Sequence, residues 1–321
     1  MREPGGPEVL EERDVPTPTP GPGEIRIKVA ATAVNRADLI QRLGAYPAPK
    51  DSPQDILGLE YAGTVDACGE HANRFRVGER VFGIAGGGTY AEYVTVHEGT
   101  ASPIPDGVSF TDAAAFPEGF TTAYDAMVSQ GRLAKGERVL IHAVGSGVGT
   151  CAVQIAAHLG AISIGTARTA EKLERAKQIG LTHSILVTSA TFADEVNRLT
   201  AGKGFDVALD LVGGGYLPEE IACAASRARI LLVGLLAGRQ AEVDLGAILR
   251  KRIELRGTVL RSRTLSEKKE LGTLLEKDLS PLLAKGTLRP SIDRVMPLSE
   301  ARAAHIQMSQ NEGFGKIVLT I

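Results

Sequence analysis

At 321 residues the chain exceeds what one hydrophobic core serves efficiently, which predicts two domains. A formal net charge of −2 and the lack of any Trp exclude a general field for nucleic acid or anionic membrane and leave few platforms for stacking bases. Three widely separated cysteines, Cys68, Cys151 and Cys223, suit reduced thiols and exclude a disulfide framework or a zinc knuckle.

No apolar run reaches the roughly eighteen residues of a membrane span. Met1 is followed by REPGGPEVLEERD, neither a secretory nor a transit signal, so a cytoplasmic location is expected. The region up to about Phe116 reads as a small antiparallel β domain. Glu24 to Ala33 alternates at Ile25, Ile27 and Val29 after the turn PTPTPGPG. Leu57 to Cys68, Val77 to Gly83 and Thr89 to Val96 continue the pattern as short strands punctuated by glycine, which predicts a barrel-like fold.

From Thr121 the texture changes to alternating helix and strand. The stretch Arg138 to Gly160, RVLIHAVGSGVGTCAVQIAAHLG, begins as an uninterrupted apolar strand, turns on glycines, and continues with apolar residues at helical spacing, Ala152, Ile155, Ala156 and Leu159, before Gly160 stops it. Strand, glycine turn and helix together make a seat for phosphate, because the first helical N–H groups lack internal partners and the helix dipole favours an anion. The glycine pattern departs from G-x-G-x-x-G, with Val144 and Ser146 at its first and third positions. A second reading of these glycines is close packing of helix on sheet. Ala161 to Ala167 follows as a strand at the distance a strand-helix-strand unit requires.

The end of that strand discriminates between dinucleotides. A free ribose 2′-OH is held by an acid there, whereas a 2′-phosphate favours a basic residue. The chain offers Thr166, Ala167, Arg168 and Thr169 there, with no acid among them, and shortly after, beyond Glu171, Lys172, which predicts NADP(H). Thr169 also suits a helix cap, and Arg168 and Lys172 have an alternative reading as a solvated helix start. Helices at 170–179 and 192–199, strands at 183–187, 205–212, 229–235 and near 253–260, and a helix from about Tyr216 complete a doubly wound sheet of six strands. The helical stretch Leu265 to Ala284 leads to a last alternating strand, Lys316 to Thr320, expected to rejoin the first region.

Several segments carry a family resemblance across almost the whole chain: VNRADLIQRLGAYP, ILGLEYAGTV, VGERVFG, AAAFPEGFTTAYDA, LIHAVGSGVGTCAVQIA, LDLVGG, LRSR and GFGKIVL. The chain resembles the zinc-independent quinone oxidoreductases of the medium-chain dehydrogenase/reductase superfamily, with the wording NRADL, SGVGT and LRSR similar to the inducible NADPH:quinone reductase branch. The resemblance implies an α/β protein: a GroES-like β-rich catalytic domain at 1–118 and 258–321, and a Rossmann-type doubly wound parallel sheet binding NADPH at 119–257. It also implies a leading strand ahead of REPGGPEVL, an adenine-covering Tyr near Val187 and an Asn near Gly313, none of which stands in this sequence.

Zinc alcohol dehydrogenases of the superfamily hold their metal at positions that here read Asn35, Leu59 and Glu118, and one carboxylate among these does not make a zinc site. No metal is expected, and the acceptor must already be electrophilic, a quinone or an alkene conjugated to a carbonyl. The resemblance places substrate beside Asn35, Asp38, Tyr46 and Thr121, with Tyr46, Asn35 and Thr121 as the catalytic candidates. It assigns Ser146, Gly147, Val148 and Gly149 to the pyrophosphate, Thr166, Arg168, Thr169 and Lys172 to the 2′-phosphate end, and Asn35, Gly234, Leu235, Leu236, Leu260, Arg261 and Ser262 to the nicotinamide side. Tyr46 has a second reading as a loop cover, Asn35 as a turn residue, Arg261 with Arg263 as a solvated pair, and Asp38 and Glu60 read as structural, holding backbone or an arginine. The implied activity is NADPH:quinone oxidoreduction on a small molecule, the alternatives being reduction of conjugated enones or enals and a non-catalytic NADPH- or RNA-binding role. A homodimer joined through the edge strand of the nucleotide domain is expected, with neither nucleic acid nor membrane as partner.

Overall fold

Alternation builds the first strand, β1 (Glu24–Val34), in which Ile25, Ile27 and Val29 face the core before the strand becomes buried on both faces from Ala31. The computed structural model describes residue 1 and residues 3–321, in two units, 1–121 with 260–321 and 122–259. In the first unit β1 leads to α1 (Arg36–Arg42), β2 (Glu60–Cys68), β3 (Arg80–Ile84), β4 (Tyr93–His97), β5 (Ala101–Pro103), α2 (Phe110–Ala114) and α3 (Pro117–Tyr124). The second unit holds β6 (Arg138–Ile141), α4 (Gly147–Leu159), β7 (Ile162–Ala167), α5 (Ala170–Gln178), β8 (His183–Leu186) and α6 (Ala193–Leu199). It continues with β9 (Phe205–Asp210), α7 (Tyr216–Cys223), β10 (Ala224–Leu232), α8 (Leu245–Lys251) and β11 (Glu254–Gly257). The chain then returns to the first unit with α9 (Leu265–Leu274), α10 (Ser280–Ala284), β12 (Ile292–Pro297), α11 (Ala301–Gln310) and β13 (Lys316–Thr320).

The first unit is a sheet in the order β12-β13-β1-β2-β3-β5, with β4 also paired to β1. β1 divides its partners along its length: β4 pairs with Glu24 to Lys28, and β13 pairs antiparallel with Ala31 to Val34. The last strand therefore rejoins the first region, as its alternation predicts. Ile25, Ile27 and Val29 pack with Tyr61, Val65, Val81 and Val94, while Val34 and Leu39 form a second cluster with Met296, Ile317 and Leu319. The predicted strand from Leu57 starts only at Glu60, because Gly58 adopts a left-handed φ of 99° and a Cβ there would lie 2.1 Å from Thr89 Oγ1.

The second unit is a parallel six-stranded sheet in the order β11-β10-β9-β6-β7-β8. β6 lies between β9 and β7, where the strand order reverses, and ligands of such sheets bind outside the carboxyl ends at that point. The strand predicted over 229–235 ends earlier, at Leu232, because the N–H groups of Val233 and Gly234 turn back to the Asp210 carbonyl, at 2.8 and 3.2 Å. Helix α6 has Phe192 at its N-cap, a residue that cannot cap. The Glu219 carboxylate substitutes from α7, accepting from the N–H groups of Phe192 and Ala193 at 2.9 Å each. Glu219→Ala is predicted to lower stability by about 1–2 kcal/mol, the usual value of a lost cap, measured by urea denaturation.

Candidate active site

At the carboxyl end of β6, Ala143 turns the chain with a left-handed φ of 51°, and Ser146 then caps α4, its hydroxyl accepting from Gly149 N–H at 3.0 Å. A Cβ on Gly149 would stand 2.2 Å from the Ala143 carbonyl, so this glycine is required for helix and strand to approach. The N–H groups of Gly147 and Val148 open the helix and have no intrahelical acceptor, the arrangement that fits a pyrophosphate. Lys172 lies with its stem over Gly145, where a Cβ would come within 2.8 Å of the lysine Cδ. The absence of a side chain at Gly145 is what brings this cation to the turn.

Thr166, buried at the end of β7, shares a hydrogen bond of 2.8 Å with His142 Nδ1, and Arg168 is exposed beyond it, its charge opposing the burial that raises the Tyr216 phenol. Thr169 occupies the N-cap of α5, but its hydroxyl makes no capping bond. Gly234 lies against the Leu211 carbonyl, 2.4 Å from where a Cβ would be, and Leu235 and Leu236 are exposed.

In the first unit the start of α1, the start of β2, the start of α3 and the start of β13 converge on a buried polar cluster. Asn35 N–H donates to Asp38 Oδ2 at 2.7 Å, and Gly58 N–H donates to Asp38 Oδ1 at 3.1 Å. The Asn35 amide donates to Glu60 Oε1 at 2.9 Å and to the Ala33 carbonyl at 3.2 Å, so both of its N–H bonds are committed within the protein. Lys316 Nζ donates to Glu60 Oε1 at 2.5 Å and to Asn35 Oδ1 at 2.6 Å, and Glu118 N–H donates to Glu60 Oε2 at 2.9 Å. Glu60 and Asp38 do hold backbone, as the sequence suggests, but the cation on Glu60 is a lysine from the far end of the chain.

Burial pushes the Asp38 carboxyl up to about 6, against its bonds from Asn35 and Gly58 and the nearby Lys316 charge. It pushes Glu118 up to about 8, with the Glu60 charge adding to the shift and Lys316 opposing it. Burial, with the Arg42 charge adding, holds His305 neutral, its pKa near 3. Arg42 Nη1 faces His305 Nδ1 at 3.4 Å, so the tautomer carrying hydrogen on Nε2 donates to Tyr90 at 3.2 Å, and the Tyr90 hydroxyl donates to Asp38 at 3.2 Å.

Tyr46 stands half-buried in the loop after α1, and Arg261 fixes it. The guanidinium lies 5.1 Å from the Tyr46 ring centroid and donates to the Tyr46 carbonyl at 3.1 Å, the Gly86 carbonyl at 2.7 Å and Gln41 Oε1 at 2.6 Å. Leu260 and Arg261 are buried and Ser262 is exposed, all three in the first unit. Thr121 is fully buried in α3. Among the described residues no group of three His, Cys, Asp or Glu is arranged to hold a metal ion. The Lys316 ammonium sits against Glu60 Oε1 and Asn35 Oδ1, two of the oxygens that a cation would seek.

Residues 147–277 match the family described as Zinc-binding dehydrogenase, and residues 21–106 match the Alcohol dehydrogenase GroES-like domain. A quinone oxidoreductase of Pseudomonas aeruginosa is 36% identical over 317 residues, covering 98% of this chain and 96% of that protein. Two solved structures superpose over nearly the whole chain. The Escherichia coli quinone oxidoreductase complexed with NADPH has a TM-score of 0.90 at 27% identity, covering 99% of this chain and 98% of its own. The CurK enoyl reductase has a TM-score of 0.86 at 29% identity, covering 100% and 97%. The chain thus belongs to the medium-chain dehydrogenase/reductases, two-part proteins with a GroES-like unit and a Rossmann-type parallel sheet. Within that superfamily it is a member of the quinone oxidoreductase family.

Reading the sequence by residue missed the Lys316–Glu60 pair and the Tyr90–His305 link. The available signals were a lone carboxylate in the apolar run ILGLEYAGTV and a lysine opening a strand whose following residues are buried. Lys316→Met leaves Glu60 buried without its cation and is predicted to cost about 3–5 kcal/mol, most of it recovered in the Lys316→Met/Glu60→Gln double variant, as read by chemical denaturation. A second prediction follows from Glu118. Its folded pKa lies above the ordinary 4.5, so its contribution to stability is lost as pH rises from there toward 8. Glu118→Gln removes that dependence, and its Tm relative to the unaltered protein should rise steadily across this window.

Proposed function

We propose that the protein is an NADPH:quinone oxidoreductase that works without zinc. The observation that carries the reading is the pairing of two features: a β7 end whose residues Thr166 to Ala170 include Arg168 and no acid, with Lys172 following Glu171 in the first turn of α5, and a first-unit polar cluster whose cation is Lys316. The first selects a 2′-phosphate and the second removes Lewis-acid activation of an alcohol, leaving acceptors that are already electrophilic. The near full-length likeness to quinone oxidoreductases, one of them complexed with NADPH, supports the quinone acceptor and the cofactor.

NADPH, when bound, supplies the hydride. Ser146, Gly147, Val148 and Gly149 would seat its pyrophosphate, with Thr166, Arg168, Thr169 and Lys172 toward the 2′-phosphate and Gly234, Leu235, Leu236, Leu260 and Ser262 on the nicotinamide side. Tyr46 offers a flat ring and a phenolic hydroxyl to a planar acceptor, and Arg261 acts through it by holding its loop. Thr121 supplies a second hydroxyl. Asn35 contributes by fixing Lys316 and Glu60. Reduction of conjugated enones is the second reading, supported by the likeness to an enoyl reductase and by needing the same hydride placement.

The protein is also proposed to be a cytoplasmic homodimer; no helix among the described residues is long and apolar enough to cross a membrane. β11 is an edge strand of the parallel sheet, and Leu255 on it and Leu249 on α8 are exposed, at 47% and 77%. Leu249→Glu/Leu255→Glu should halve the mass measured by light scattering from twice 33.8 kDa. The activity test is NADPH oxidation with 1,2-naphthoquinone and with a simple enone, each repeated with NADH. Turnover with the quinone and a preference for NADPH are expected, and Lys172→Glu should cost about tenfold in kcat/KM for NADPH, the value of one modest charge contact, while sparing NADH. Turnover with neither acceptor contradicts the enzymatic reading.

A further inference from the structure

Hydride transfer leaves the acceptor with an extra electron pair and no proton, and the polar cluster of the first unit holds several acids that could supply one. Asp38 has both oxygens occupied, by Asn35 N–H, Gly58 N–H and the Tyr90 hydroxyl. Glu60 has both occupied as well, by Lys316, the Asn35 amide and Glu118 N–H. The Tyr46 phenol is raised above its ordinary pKa by burial and the Glu118 charge, so it gives up a proton less readily.

Glu118 is different. Its Oε2 is fully covered yet has no hydrogen-bond partner, while the residue as a whole keeps partial exposure. Thr121 Oγ1, in a side chain that is completely buried, is also without a partner. The two residues are three apart on α3, hence on one side of the helix. A buried polar atom without a partner costs free energy, and two of them one turn apart on one side of a helix can both be satisfied by a single oxygen of a ligand.

We propose that Glu118 is the proton donor of the reaction, with the Thr121 hydroxyl binding the same acceptor oxygen. This rests on the reading of the protein as a reductase of quinones or enones. The hydride, with its electron pair, forms a new bond to the acceptor as its bond to NADPH breaks. The acceptor oxygen, now carrying the excess pair, takes the proton from the Glu118 carboxyl. The carboxylate left behind meets the positive charges of Lys316 and Arg261, against the negative charges of Glu60 and Asp38, and water restores its proton. A carboxyl pushed to about 8 by burial is charged with a proton at neutral pH and still able to release it, which is where a general acid works best.

The test is the pH dependence of kcat with NADPH and 1,2-naphthoquinone from pH 5.5 to 10 for the unaltered protein, Glu118→Gln and Glu118→Asp, with NADPH affinity measured by fluorescence. The unaltered protein should lose kcat above about pH 8. Glu118→Gln should lose about 100-fold or more of kcat at pH 7, show no limb near pH 8, and bind NADPH unchanged. Glu118→Asp should recover part of the rate with its limb displaced, which a merely structural role would not produce. A Gln variant within twofold of the unaltered kcat and with the same limb overturns the assignment of Glu118 alone, and so does an Asp variant whose limb does not move. An unaltered protein that turns over neither quinone nor enone overturns the reading of the site itself.

Discussion

The first unit depends on a lysine that the chain carries almost to its end. Lys316 opens β13, and its ammonium is buried against Glu60 and Asn35 at the starts of β2 and α1. Neither charge of such a pair could remain inside alone, since the loss of solvation exceeds what an incomplete set of bonds returns. Here every oxygen of Glu60 is occupied: Lys316 and the Asn35 amide share Oε1, and Glu118 N–H takes Oε2. The pair thus fastens four separate stretches of sequence at one point. The carboxylate of the pair adds to the burial that raises the Glu118 carboxyl, and the ammonium opposes it.

The second unit solves a different problem, the close approach of a helix N-terminus to a strand end. Gly149 removes the Cβ that would collide with the Ala143 carbonyl, and Gly145 leaves room for the stem of Lys172. The left-handed residue of the turn is Ala143, not a glycine, and it bears a conformation that L residues rarely adopt. Turn and helix come from local chemistry, whereas the placement of β6 between β7 and β9 comes from the sheet order.

Much of this was legible in the sequence because local signals and global fold agree. The alternation of Ile25, Ile27 and Val29, the run Val139 to Ile141 and the stop at Gly160 each correspond to the element they predict, whereas the cap at Ser146 appears only in the structure. Strand ends were less legible, since Gly58 and the return of Val233 and Gly234 to Asp210 are set by tertiary contacts. The polar cluster was legible only in part: Asp38 and Glu60 stand out as charges in apolar surroundings, but the meeting of Glu60 with Lys316 spans 256 residues and has no local period to reveal it. The orphaned oxygens of Glu118 and Thr121 are a property of packing and could be found only in three dimensions.

Metal-free reduction is the part of the proposed function that rests on Lys316, whose ammonium bonds Glu60 and Asn35. It is tested most directly by stripping the protein with a strong chelator, restoring zinc in steps, and measuring NADPH oxidation by 1,2-naphthoquinone against metal content at each step. The rate should be full in the stripped protein and flat as zinc is added. A rate that vanishes on stripping and returns in proportion to bound zinc would contradict it.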